Sequence, residues 1–129
     1  MTPNDPPGTV PDDAVPSDPT VDRLLRDVPE LVPRYLALVA SFDDEPGTPV
    51  VFTELADFVA ERLAAVETER PALERALAAI EAVAAAGDAA ELVGYAFFDN
   101  LSPDDRRRLR PWLGPHARTL ADELDAGWP

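Results

Sequence analysis

The chain has 129 residues, no cysteine and a formal net charge of −14, and all 11 of its basic residues are arginine. No apolar run approaches the ~18 residues needed to span a bilayer, and without thiols neither a disulfide framework nor a zinc–thiolate site can form. So large an excess of carboxylates argues against nucleic acid or an anionic membrane as partner, because phosphate binding needs clustered positive charge. The start, MTPNDPPGTV, has neither the basic nor the apolar region of a secretion signal, so a cytoplasmic protein is expected. The acidity also suits adaptation to a salty cytoplasm.

Residues 1–18 hold Pro3, Pro6, Pro7, Pro11 and Pro16 with Asp5, Asp12, Asp13 and Asp18, and only two valines. So little apolar surface cannot offset the entropy of ordering, which predicts a disordered leader over 1–18 and a single folded domain over 19–129. Asp18 followed by Pro19 is a helix start, and Val21, Leu24, Leu25 and Val28 form one stripe behind it. Pro29 ends that helix. A second carries Leu31, Tyr35, Leu38, Val39 and Phe42, with Pro33 predicting a bend or a late start. Asp43-Asp44-Glu45-Pro46-Gly47 is a turn; its acids can hold a divalent cation only loosely, since they lack the alternating spacing of a calcium loop.

A third helix is expected from Pro49 or Thr53 to Glu67, with Phe52, Leu55, Val59, Leu63 and Val66 in one arc. A fourth follows Pro71, turns Leu73, Leu77, Ile80, Val83 and Ala84 inward, and stops at Gly87. The stretch Asp88 to Leu101 is the expected centre of the fold. Asp88 and Glu91 make a reciprocal cap, and Leu92, Val93, Tyr95, Ala96, Phe97, Phe98 and Leu101 point nearly all the way round. Ser102-Pro103-Asp104-Asp105 opens a short helix ending near Arg110-Pro111. The last begins at Gly114-Pro115, packs Ala117, Leu120, Ala121 and Leu124 inward and ends at Gly127. No segment alternates with a period of two, so the fold class is all-α: about seven short helices in a compact bundle around the 88–101 helix.

Catalysis has little to stand on. His116 is the one histidine, no cysteine can act as nucleophile, and there is neither a glycine-rich phosphate loop nor a paired-histidine metal motif. No cofactor and no metal site are expected. Arg106, Arg107, Arg108 and Arg110 close a short helix opened by Asp104 and Asp105, an arrangement that complements the helix dipole more simply than it builds a nucleic-acid patch. Glu54, Asp57 and Glu61 are the main candidate for partner binding. Like charges three and four apart destabilise a helix by a few tenths of a kcal/mol per pair, and Arg62 is the one cation in sight to relieve them. A tolerated cost on a surface points to a basic partner, against the simpler reading that so acidic a chain produces such stripes by chance. Trp112 is the candidate aromatic anchor, with core packing as its alternative; Trp128 is the other tryptophan nearby.

From LLRDVPELVPRYLALVASFDDEPGTPVVFTELADFV onward, the chain resembles a family of small all-helical bacterial proteins of unknown function. The resemblance is carried by Pro29-Glu30-Leu31, Tyr35, Leu77 with Ile80-Glu81, Phe97-Phe98-Asp99-Asn100-Leu101 and Leu113-Gly114-Pro115, and covers residues 22–124. The chain departs from the family pattern in its Pro-rich leader and in Asp99, where a glutamate is usual. In size and style such proteins are similar to the helical immunity proteins that neutralise toxins in bacterial competition. The resemblance therefore implies a non-enzymatic, immunity-type inhibitor whose partner is a basic toxin domain; the alternatives are a regulatory or scaffolding helical domain and, third, a cryptic metal-dependent hydrolase.

Overall fold

The computed structural model describes residues 15–87 and 90–125, and among them every regular element is a helix. The elements are α1 (Pro19–Asp27), α2 (Val32–Phe42), α3 (Thr48–Ala64), α4 (Val66–Ala86), a composite segment over residues 90–100, α6 (Pro103–Leu109) and α7 (Pro115–Asp125). The first turn of the composite segment, Ala90–Leu92, is α5. No helix among the described residues is long and apolar enough to cross a membrane.

Local chemistry sets most of the boundaries. The Asp18 carboxylate caps α1 by accepting from the Thr20 N–H at 2.8 Å, and Val21, Leu24, Leu25 and Val28 are buried as their spacing predicts. Asp18 also accepts from the Thr48 hydroxyl, which ties the start of α1 to the start of α3. That bond does most to hold its carboxyl below the ordinary range; burial works against it and the Thr20 N–H adds to it. Residues before the expected boundary at 18 make contacts with the body. Pro16 is buried, and Ser17 donates from both N and Oγ to the Glu45 carboxylate, each at 2.6 Å. Polar groups that find partners, with one buried proline, offset an ordering entropy that composition alone overestimated there. Residues 1–14 of the expected leader lie outside the described residues.

A 3₁₀ turn over Pro29–Leu31 leads into α2, and Pro33 falls in the first turn, where a missing N–H costs no bond. Phe42, expected on the inner stripe, is instead 55% exposed. It is the last residue of α2, and Asp43 turns the chain away in the left-handed region at φ 54° before Phe42 reaches the core. The third and fourth helices also divide differently from their expected boundaries. α3 stops at Ala64, Ala65 makes the corner, and α4 begins at Val66 with Pro71 inside it. So near the start of a helix, proline removes a single ladder bond, while the Thr68 hydroxyl and the Glu69 N–H both donate to the Ala65 carbonyl and secure the first turn. α4 ends at Gly87, whose φ of +82° suits glycine.

The segment expected at the centre is buried between α3, α4 and α7, but it is not one regular helix. It passes from the α turn Ala90–Leu92 through a π turn, Val93–Phe97, into a 3₁₀ turn, Phe98–Asn100. The Phe98 N–H donates to both the Gly94 and Val93 carbonyls. Widening the turn brings Phe98 back over Val93, so that Val93, Ala96, Phe97 and Phe98 all face the core, with the two phenyl rings edge to face at 5.0 Å. The cost of that register falls on Tyr95, which was expected inside and is 48% exposed. The expected cap at Asp88 and the end of α7 at Gly127 lie outside the described residues.

The carbonyls released where the segment tightens find side chains. Asn100 donates from Nδ2 to the Ala96 carbonyl at 2.7 Å, and the Arg106 guanidinium donates to the carbonyls of Leu101 at 2.7 Å and Phe98 at 3.3 Å. Ser102 Oγ accepts from the Asp105 N–H at 3.1 Å and starts α6 as its sequence predicts. After the 3₁₀ turn Arg110–Trp112, α7 lays buried Ala117 and Ala121 on the core, with Leu120 and Leu124 partly buried beside them.

Candidate interaction surface

α3 carries the expected acidic stripe, and its tertiary neighbours divide it. Phe52, Leu55, Ala56, Val59 and Leu63 are buried, which leaves Glu54, Asp57 and Glu61 on the far side. Arg34, the one charged residue of α2, pairs with Glu54 at 3.2 Å and also with Glu61. Arg62 reaches Glu61 at 3.6 Å and Glu69 at 3.4 Å. Both guanidiniums lie over the ring of Phe58, at 5.6 Å and 4.8 Å from its centre, and Phe58 is buried beneath them although it sits on the polar side of α3. The expectation that only Arg62 could relieve the stripe is therefore corrected. Arg34 comes from 20 residues before Glu54, and the stabilising contacts make this cluster part of the fold. Asp57 stands apart: it is exposed and has no partner among the described residues, on the edge of α3 where Thr53 accepts from Asn100 Nδ2 at 3.3 Å.

Trp112 is half-buried against the core, with the Arg70 guanidinium 5.0 Å from its ring centre. It meets the stripe only through consecutive residues of α4: Glu69 pairs with Arg62, and Arg70 covers Trp112. His116 is exposed, and its Nδ1 lies 2.6 Å from Glu81. That carboxylate also accepts from the N–H groups of Ala117 at 2.9 Å and His116 at 3.2 Å, so it caps α7 from α4. Burial pushes Glu81 up, but the Ala117 N–H, the His116 ring and the His116 N–H together hold it below its ordinary value. Gly114 makes room for it: a Cβ there would lie 2.6 Å from the Glu81 carboxyl carbon. Glu81 and His116 thus act as a helix cap and its neighbour.

Each of the remaining arginines also has a partner within the chain. Arg23 pairs with Asp27, Arg26 with Asp22, Arg70 with Glu74, Arg75 with Glu30, Arg107 with Asp104, Arg108 with Asp105 and Arg110 with Asp122. Arg118 donates to the Leu113 carbonyl at 3.1 Å. With Arg34, Arg62 and Arg106, every arginine of the chain has an acceptor within the chain. The converse fails for the acids. Asp43, Asp57, Glu67, Glu91, Asp99 and Glu123 are exposed and have no basic partner among the described residues.

Among the described residues the surface carries hollows of different lining. Between α1 and α4 runs a groove of about 230 Å³ lined by Leu24, Ala79, Val83 and Ala86, with Arg23 and Asp27 on its α1 side. A larger one, about 370 Å³, lies beside the α2–α3 turn and is lined by Val15, Tyr35, Val39, Ala40, Asp43, Asp44 and Glu45. Sequence reading marked those acids as a turn that could hold a divalent cation only loosely; a signal for the hollow lay in Tyr35 and Val39, four apart and leading into the acids. Among the described residues no three acids or histidines converge as metal ligands. The chain matches no family model, no curated protein and no solved structure.

Proposed function

We propose that this protein is a non-enzymatic interaction domain for a basic protein partner, acting as an immunity-type inhibitor that occupies a toxin domain. The observation that carries the reading is the imbalance at the surface: every arginine has an acceptor inside the chain, while a set of exposed carboxylates has no basic partner among the described residues. A surface of one sign repels anionic partners and draws in cationic ones, raising their association rate more than it lengthens the life of the complex. The motif resemblance supplies the immunity form of the reading, and such a protein is encoded beside its toxin.

Association kinetics with the product of the neighbouring gene test it. Between about 0.05 and 0.5 M salt the association rate should fall by about tenfold or more, with the dissociation rate changing far less. Association independent of salt, or no binding, would overturn the reading.

A further inference from the structure

The hollow beside the α2–α3 turn sets three acidic side chains against apolar ones. Val39 and Ala40 of α2 and Val15 line it with Tyr35, whose side chain is almost wholly buried at 2% exposure. The Tyr35 hydroxyl has no hydrogen-bond partner among the described residues. The oxygen is not one of the wholly buried unpartnered atoms among the described residues, so it reaches solvent and is free to bond an entering group. Asp43, Asp44 and Glu45 form the rim, and no arginine lines it. The rim is held in shape: Glu45 is fixed by the two bonds from Ser17, and Asp44 accepts from the Glu45 N–H at 2.7 Å. Asp43 makes no contact that would occupy its carboxylate. Burial, and next the charge of Glu45, push the Tyr35 phenol above its ordinary value, so the hydroxyl keeps its proton beside these carboxylates.

We propose that this cavity receives one arginine side chain of the protein partner. The inference rests on the reading of the chain as a domain for a basic partner, and it names the place and the group. A guanidinium is a planar fork of five donors and can meet neighbouring carboxylates and the Tyr35 oxygen together, while its methylene stem covers the apolar floor. A lysine ammonium is a compact, strongly hydrated point charge that matches fewer of these acceptors. At about 370 Å³ the cavity is at the small end of ligand sites and suits a single long side chain. The chain's own first 14 residues do not supply the group, since they contain Asp5, Asp12 and Asp13 and no arginine.

The test is a nitrogen-15 NMR titration of the full chain with the peptide acetyl-Gly-Arg-Gly-amide, alongside its lysine and citrulline counterparts. The arginine peptide should give saturable shifts confined to Tyr35, Val39, Ala40 and Asp43 to Glu45. Lysine should bind about tenfold more weakly, the equivalent of one lost charge-assisted hydrogen bond, and uncharged citrulline should give no saturable shifts. Asp43→Asn with Asp44→Asn should weaken the arginine peptide by about tenfold or more while leaving the rest of the spectrum in place, since asparagine tolerates the left-handed position at 43. Shifts spread over all the acidic helices, equal response to arginine and lysine, or no effect of the double variant would overturn the proposal. The outcome is separable from that of the broader reading. Arginine-selective saturation alongside salt-independent association would keep the site and discard the steering; the reverse pair of results would do the opposite.

Discussion

Two acidic clusters lie at opposite ends of the same argument about charge. On α3, Glu54 and Glu61 are locked to Arg34 and Arg62 over Phe58. At the α2–α3 turn, Asp43, Asp44 and Glu45 ring a cavity with no arginine in its wall. In the sequence the α3 stripe stands out, because like charges at helical spacing carry a cost and the turn acids look like ordinary turn chemistry. The fold reverses that order. Repulsion within a helix can be relieved by a residue far along the chain, so the spacing of like charges alone does not identify an open surface.

Substitution of Phe58 by alanine should have the largest effect. It removes a fully buried aromatic and the platform beneath both arginines, and chemical denaturation should show a loss of about 3 to 5 kcal/mol. No turn substitution should approach it. Deleting residues 1–18 comes next and weakens the brace of the open cluster. It removes the Asp18 cap with its bond to Thr48 and the two Ser17 bonds that fix Glu45, and should cost about 2 kcal/mol. An unchanged unfolding midpoint would show that the leader extends through 18 after all.

Glu81 shows a third way to accommodate a carboxylate, with backbone N–H groups in place of an arginine. Gly114→Ala should push the flexible acid out of its seat and cost about 1 kcal/mol, read as a lower unfolding midpoint. Because Glu81 and Asp18 are held below their ordinary values of 4.5 and 3.8, they stabilise the fold when ionised. Their contribution is complete above those values and is lost as pH falls through the depressed folded values. A stability profile of wild type against Glu81→Gln should therefore converge in acid and be fully separated above about pH 4.5. The smallest effect belongs to the open cluster: Asp43→Asn with Asp44→Asn should leave stability within about 0.5 kcal/mol, since both are exposed and the asparagine oxygen at 44 can still accept from the Glu45 N–H.

Much of the fold is legible from local rules. The stripe Val21, Leu24, Leu25 and Val28, the Ser102 cap, the stop at Gly87 and the burial of Phe97, Phe98 and Leu101 all follow from spacing and capping. The exposure of Tyr95 does not, because the π turn depends on how Phe98 packs over Val93, a tertiary choice made at a glycine that offers no side chain to resist it. The α3–α4 corner at Ala65 was hidden by Pro71, which reads as a helix start yet sits inside α4 at small cost. The neutralised cluster left two traces. Arg34 is the only charge in an otherwise apolar helix, and Phe58 is an aromatic on the polar side of α3. Each needs a tertiary partner, and each is the other's. The Tyr35 cavity left less, since a tyrosine at core spacing gives no sign that its hydroxyl lacks a partner.

The central claim, that Glu54 and Glu61 of α3 belong to the fold while Asp43 and Asp44 of the turn do not, is tested most directly by a double-mutant cycle in urea. Arg34→Gln, the pair Glu54→Gln with Glu61→Gln, and the combination should show a favourable coupling of about 1 kcal/mol, whereas Arg34→Gln combined with Asp43→Asn and Asp44→Asn should be additive within about 0.3 kcal/mol. Coupling absent in the first cycle, or equal in the two, would contradict the account.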